Sequence, residues 1–280
     1  MITKIKKALS KINKTLNKII LINLIFLLIL FLTIVFLKIN DYIKLKNALN
    51  NIKENLYNLN LEKQREAIRS ICSFGKKAKS LGTILMPMLN NPDPVIRGNV
   101  AYALGCIHYN PKEVIPLLIK GLNDPSPYVR NNFVNSLALY GNEAIYVLPK
   151  LIDMLNDPEP SIRFSVVSAI ITIDGDEHLI IKIFIEALKD SSSLVRAAAA
   201  SGLGKFGEKA HSAIPHLIKL LTDPNENVKN AAIYSLQRIV SKKEKLIYLI
   251  EKEINKCSDL EKKKKLQEII NELKNKNKKQ

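Results

Sequence analysis

The sequence predicts an all-α protein, a solenoid of about six 33-residue helix–turn–helix repeats preceded by one transmembrane helix. Three observations carry that expectation. Leu56, Leu89, Leu122, Leu155, Leu188 and Leu221 recur every 33 residues. Two positions after each stand Asn58, Asn91, Asp124, Asp157, Asp190 and Asp223, and six further on Gln64, Arg97, Arg130, Arg163, Arg196 and Lys229. No insertion disturbs that register, and so short a period marks stacked supersecondary units rather than one globular core. Lastly, residues 19–37 form an apolar run between Lys18 and Lys38 whose only polar members are Asn23 and Thr33.

Residues 1–18 are a lysine-rich segment, with Lys4, Lys6, Lys7, Lys11, Lys14 and Lys18 and no acid. Ile2, Ile5, Leu9, Ile12 and Leu16 are spaced by three and four. That spacing fits either an amphipathic helix lying on anionic lipid heads or the plain basic flank of a targeting signal. As a helix the 19 residues of the apolar run span about 28 Å, close to the hydrocarbon thickness of a bilayer. A cleaved signal peptide competes with an uncleaved anchor. The run exceeds the usual apolar region of such a signal, and Lys38-Ile39-Asn40-Asp41 offers no small-residue cleavage site, which favours the anchor. Six lysines before the run stand against Lys38, Lys44, Lys46 and Lys53 after it. The expectation is a single-pass membrane protein with a cytoplasmic N-terminus and an extracytoplasmic solenoid.

The solenoid is expected over residues 42–240. In the copy from 109 to 141, Val114, Ile115, Leu118 and Leu122 lie on one helical stripe, and Asn123-Asp124-Pro125 stops that helix. Pro127 suits the first turn of a second helix, whose stripe is Val129, Phe133, Leu137 and Tyr140, and Gly141 allows a left-handed exit. Such a unit cannot bury its stripe alone, so it stacks. Ile52, Leu85, Leu118, Leu151, Phe184 and Leu217 form a core column on the first helices, and Ala67, Val100, Phe133, Val166, Ala199 and Ala232 one on the second. Pro116, Pro149 and Pro215 recur at one position and are expected to kink the first helices.

Residues 122–137 and 220–236 resemble HEAT repeats, particularly the short bacterial type first noted in phycobilisome lyases. The similarity extends over about 200 residues, 42–240. It implies a right-handed α-solenoid whose second helices line the concave side, and a ladder between neighbouring repeats. Here that ladder would join Asp124, Asp157, Asp190 and Asp223 with Arg97, Arg130, Arg163 and Arg196, as scaffold rather than chemistry. The first copy departs from the pattern at Asn58, Leu59, Asn60 and Gln64, as a terminal repeat would.

The formal charge of +17 invites a nucleic-acid reading until it is divided along the chain. Residues 1–60 carry ten lysines and two acids, and residues 241–280 thirteen lysines and seven acids; the central 180 residues carry only three more bases than acids. A phosphate-tracking groove along the repeats is therefore not supported. Cys72, Cys106 and Cys257 show no zinc or redox spacing and read as free thiols. His108, His178, His211 and His216 form no ligand pair, and no His-Glu dipeptide occurs of the kind that carries iron in the HEAT-repeat deoxyhypusine hydroxylases. Asp174, Asp176, Glu177 and His178 lack the ligand series of a calcium loop; Gly175 is expected to end one helix and the acids to start the next. No triad and no phosphate loop is present, and no metal or cofactor is expected.

What remains for function is the face of the second helices turned away from the core. One stripe is Arg69, Tyr102, Asn135, Ser168, Ser201 and Tyr234; beside it run Asn99, Asn132 and Ser165, and Cys106, Leu139, Thr172, Lys205 and Arg238. Small, neutral and polar with two tyrosines, it suits a protein or peptide better than a phosphate backbone. Residues 241–280 leave the register. Leu246, Ile247, Leu249, Ile250 and Ile254 make a closing helix, and Ser258 and Glu261 have capping-box spacing before Leu266, Ile269, Ile270 and Leu273. The last stretch, 275–280, is expected to be disordered. The expected function is a non-enzymatic, membrane-anchored scaffold or adaptor for a protein or peptide partner. The alternatives are a nucleic-acid-associated protein that uses the basic tail (Lys262 to Lys265 above all), or a lyase-like accessory factor for a modified protein.

Overall fold

The computed structural model describes residues 1–275, with the side chains of all of these except 2–17, 19–23 and 25. It divides into two compact units, Met1–Asn58 and Leu59–Gln280. In the first, a single helix α1 runs over Ile2–Leu56. No break separates the apolar run ending at 37 from the repeat helix expected at 42, because residues 1–56 contain neither Gly nor Pro. Phe26, Phe31 and Phe36 are each more than 60% exposed, and α1 is long and apolar enough to cross a membrane by length and composition. The amphipathic spacing of Ile2, Ile5, Leu9, Ile12 and Leu16 lies outside the described side chains, and the tail beyond Asn275 outside the described residues.

The second unit is helical throughout its described residues. It opens with α2 (Leu61–Ile71) and continues with five pairs: α3 and α4 (Gly82–Met88, Pro94–Cys106), α5 and α6 (Pro111–Gly121, Pro127–Tyr140), α7 and α8 (Leu148–Asp153, Pro160–Ile173), α9 and α10 (Glu177–Ala187, Ser193–Lys205), α11 and α12 (Ile214–Leu220, Glu226–Ile239). Helices α13 (Lys243–Lys256) and α14 (Leu260–Asn275) follow and pack on each other. The helix starts are written locally. Pro94, Pro111, Pro127 and Pro160 occupy first turns, where a missing N–H is no loss. Asn60, Asp93, Asp176 and Asn225 accept the first free backbone N–H groups of α2, α4, α9 and α12.

Three local expectations change. Pro149 and Pro215 do not kink a first helix; each stands in the first turn of a short helix, α7 or α11, entered through a 3-10 segment (Gly141–Val147, Gly207–Ala213), and of the three Pro116 alone lies inside one, α5, as Pro87 does in α3. The cap of α14 is Asp259, whose Oδ1 accepts from Glu261 and Lys262, one residue after the expected Ser258. And α8 ends at Asp174, not Gly175. Asp174 belongs to a column 33 residues apart in which the backbone turns to positive φ: Gly75 at 50°, His108 at 51°, Gly141 at 57°, Asp174 at 60° and Gly207 at 53°. Five repeats turn there with positive φ, and three of the five copies use the residue that does so without a Cβ, whereas Val240, the next in the column, has φ −111°.

Both core columns are buried, as are Val114, Ile115, Val129, Leu137 and Tyr140 of the 109–141 copy. Within this unit α4, α6, α8, α10 and α12 pack directly on one another in sequence, with α2 joining α4, whereas the first helices meet their neighbours mainly through the connecting segments. Small residues permit the direct packing of the second helices: a Cβ on Gly204 would lie 2.6 Å from Ser235 Oγ. Ser136 and Ser235 donate their hydroxyls to the Ala101 and Ala200 carbonyls of the preceding second helix, at 2.6 and 2.7 Å. At the far end Leu246, Ile247 and Ile250 of α13 and Leu266, Ile270 and Leu273 of α14 are buried, which closes the stack.

Candidate functional site

The site is built on a charged spine that takes most arginines out of play. Arg97, Arg130, Arg163 and Arg196 each fork onto the aspartate 27 residues on, Nε and Nη2 donating to the two carboxylate oxygens of Asp124, Asp157, Asp190 and Asp223 at 2.7–3.0 Å. The remaining Nη1 donates to the carbonyl six residues back, on Asn91, Asp124, Asp157 or Asp190. Each aspartate also accepts the N–H two residues later, from Ser126, Glu159, Ser192 and Asn225, so it closes the inter-helix turn rather than capping the helix itself. Burial opposes ionisation of Asp190 and Asp223, yet the Arg fork and the backbone N–H outweigh it and hold both carboxyls below the usual range. Arg130 and Arg163 are held charged in return, chiefly by their bonds to Asp157 and Asp190.

With the arginines committed, the outward face of the second helices is short of charge. In α4, α6 and α8 the forked Arg is the only charged side chain. Of the expected stripe, Arg69, Tyr102, Ser201, Tyr234 and Arg238 are exposed, Asn132, Asn135 and Ser168 are half-buried, and Asn99 and Ser165 are buried. Asn99 is covered because Tyr128 of the next repeat lies over it and donates its hydroxyl to Asn99 Oδ1 at 2.6 Å. Asn132 and Ser168 spend donors on their own helices, at the Tyr128 and Phe164 carbonyls. Arg238 reaches back to the Gly204 carbonyl at 2.9 Å with its guanidinium 5.6 Å from the Tyr234 ring, and Arg69 pairs with Glu62. The stripe is thus not one continuous open surface.

The structure adds residues that a helical wheel missed. Tyr128, Phe164 and Leu194 are 40–60% exposed on the same helices, and with Tyr102, Leu139 and Tyr234 they make this face richer in apolar surface than its polar members indicate. Tyr128 and Leu194 are two repeats apart at one register position, so a scan of first-turn columns would have found them. The thiols differ from expectation: Cys72 and Cys106 are joined in a disulfide, with Cα atoms 5.2 Å apart, and Cys257 alone is free. In the Asp174 to His178 stretch, Asp176 caps α9 and Glu177 pairs with Lys209, and among the described residues no three His, Cys, Asp or Glu side chains gather as a metal site would require.

A family model described as HEAT repeats matches three overlapping stretches, residues 115–181, 148–237 and 181–256. No curated protein matches the chain in sequence. Among solved structures, the Escherichia coli protein YibA superposes with a TM-score of 0.53 at 20% identity, over 84% of this chain and 97% of that one. The complex of CpcE and CpcF of phycocyanin lyase from Nostoc sp. PCC7120 gives 0.51 at 20% identity, over 80% of this chain and 94% of that one. A designed armadillo repeat protein in complex with the peptide (KR)4 gives 0.50 at 20% identity, over 68% and 99%. At such identity the likeness speaks for the fold alone.

Proposed function

Because the chain belongs to the HEAT-repeat family, we propose that it is a non-catalytic, membrane-anchored scaffold that holds a protein or peptide on the outward face of its second helices. The observation that carries this reading is the fate of the arginines. A face that has four guanidinium groups spent on an internal ladder and Arg238 turned back to the Gly204 carbonyl, and that exposes Tyr102, Tyr128, Phe164 and Tyr234, offers aromatic anchors and little to a phosphate backbone. Residues 19–37 of α1 would supply the membrane span, and the lysine excess before them favours a solenoid on the extracytoplasmic side.

The armadillo protein that superposes on the array holds a basic peptide, and CpcE and CpcF belong to a lyase. A repeat array of this kind is a holding surface in the first case and part of an enzyme in the second, and the exposed aromatic side chains of the second helices favour the first. The test is an in-cell crosslink and pull-down of the full-length protein from membranes, with and without nuclease. Protein partners that survive nuclease are the expected result, and they should be lost from a Tyr102→Ala/Tyr234→Ala variant that stays folded. Partners recovered only through nucleic acid would replace this reading with one based on the basic tail.

A further inference from the structure

The first junction of the array cannot make the Arg–Asp fork that the four later junctions share. Gln64 stands where the others have Arg and Asn91 where they have Asp, and two neutral amides cannot form a charged fork. Between α2 and α4 the ion pair is displaced by one or two residues, to Arg65 and Asp93, and is made by Nη2 alone. Arg65 Nε is buried without a hydrogen-bond partner, so this pair is a poorer rung than the bidentate forks beyond it. At this junction, and at no later one among the described residues, a disulfide joins the residue that follows α2 to the last residue of α4.

The cysteines are 34 residues apart, and that register is a contact position elsewhere in the stack. A Cβ on Gly105 would lie 3.0 Å from Leu139 Cδ1, and Arg238 donates to the Gly204 carbonyl at 2.9 Å. The approach of Cys72 to Cys106 is therefore ordinary repeat geometry, set by the same packing that brings Arg238 onto α10, and not a peculiarity of one pair. Both cysteines are half-buried, so an oxidant or a reductant reaches them after the repeats have stacked.

We propose that the Cys72–Cys106 disulfide is a covalent rung that replaces the missing Arg–Asp fork, made when the stacked first junction is oxidised by a protein disulfide of an oxidising compartment. The two thiols lose two protons and two electrons as the S–S bond forms, and the oxidant's disulfide is reduced to two thiols. The bond fixes α2, with Arg69, against α4, with Tyr102, at the N-terminal end of the outward face. An accessible disulfide does not persist in a reducing cytosol, so the rung also assigns the solenoid to the far side of the membrane. This rests on the junction itself, independently of any partner or of the lysine count.

Two measurements on the full-length protein test it. In membranes of the cells that make it, denatured in the presence of a polymer-tagged maleimide, Cys257 alone should react before reductant and all three cysteines after it. Three reactive thiols before reductant would overturn the proposal. In detergent solution, reduction should speed amide exchange in α2 by at least about tenfold and leave α8 to α12 unchanged, and equal exchange in both states would overturn it too. Installing the charged fork, Gln64→Arg with Asn91→Asp, should restore the protection of α2 in the reduced protein. No recovery would sink the equivalence of the two rungs.

Discussion

At Asp174 the backbone takes φ 60° and ψ 126°, a conformation that a residue bearing a Cβ enters at a cost of about 1–3 kcal/mol. Its counterparts one repeat to either side are Gly141 and Gly207, which take positive φ without a Cβ to strain. Asp174→Gly should therefore stabilise the array by about 1 kcal/mol, part of the gain being offset by the greater freedom of glycine in the unfolded chain. A raised midpoint in urea is the readout, and an unchanged or lowered one would mean that the aspartate is held there by something more than the turn. The reverse change isolates the backbone contribution. Nothing lies within 4 Å of a Cβ built on Gly141, so Gly141→Ala creates no collision, and a loss of about 1–2 kcal/mol would be conformational strain alone. Periodicity makes these positions visible only when counted in 33s from a glycine: a local reading picks Gly175, because it is the glycine in the stretch, and misses that Asp174 occupies the column.

Between elements, the forks set how firmly one repeat holds the next. Arg163 shows what its chemistry requires: Nε and Nη2 bind Asp190, Nη1 binds the Asp157 and Pro158 carbonyls, and Nη2 also reaches Ser191 Oγ at 3.2 Å. An ammonium keeps the charge but cannot span a carboxylate and two carbonyls at once. Arg163→Lys should cost about 1–3 kcal/mol, with amide protection lost in α8 to α10 and kept in α4, because stability in such an array is carried by neighbouring interfaces. The same forks set an acid limit. Asp190 and Asp223 have folded carboxyls lowered against the pull of burial, so their contribution is complete above the unfolded aspartate value near pH 3.9 and is lost as pH falls through the lower folded values. A pH series of unfolding midpoints should show that loss beginning below about pH 4, and it should shrink in Asp190→Asn. The helices and their stacking are legible in the sequence because leucine, aspartate, arginine and proline recur in strict register. The disulfide is not, since a separation of 34 looks one step out of phase until neighbouring second helices are seen to meet at that offset. Nor is the burial of Asn99, which depends on Tyr128 of the next repeat lying across it.

For the molecule as a whole, the side of the membrane is set by a narrow margin of charge and reported by chemistry far from it. Six lysines precede the apolar run, and Lys38, Lys44, Lys46 and Lys53 follow it. Each lysine resists translocation, so the flank with more of them stays in the cytoplasm. A reporter that works only outside the cytoplasm, fused after Gln280, should be active, and a cytoplasm-only reporter silent. Exchanging Lys4, Lys6 and Lys7 for Gln leaves three lysines before the run against four after it, which reverses the sign of the difference. The population should then divide between two orientations. The reporter fraction is one readout; the thiols give a second that does not depend on it, because molecules with the solenoid in a reducing cytosol keep Cys72 and Cys106 as thiols. If charge sets the topology and oxidation reports the compartment, the fraction of molecules with three reactive cysteines should rise in proportion to the loss of extracytoplasmic reporter activity. A reporter that switches while the thiols stay oxidised would separate the two and show that the disulfide forms irrespective of the side on which the array lies.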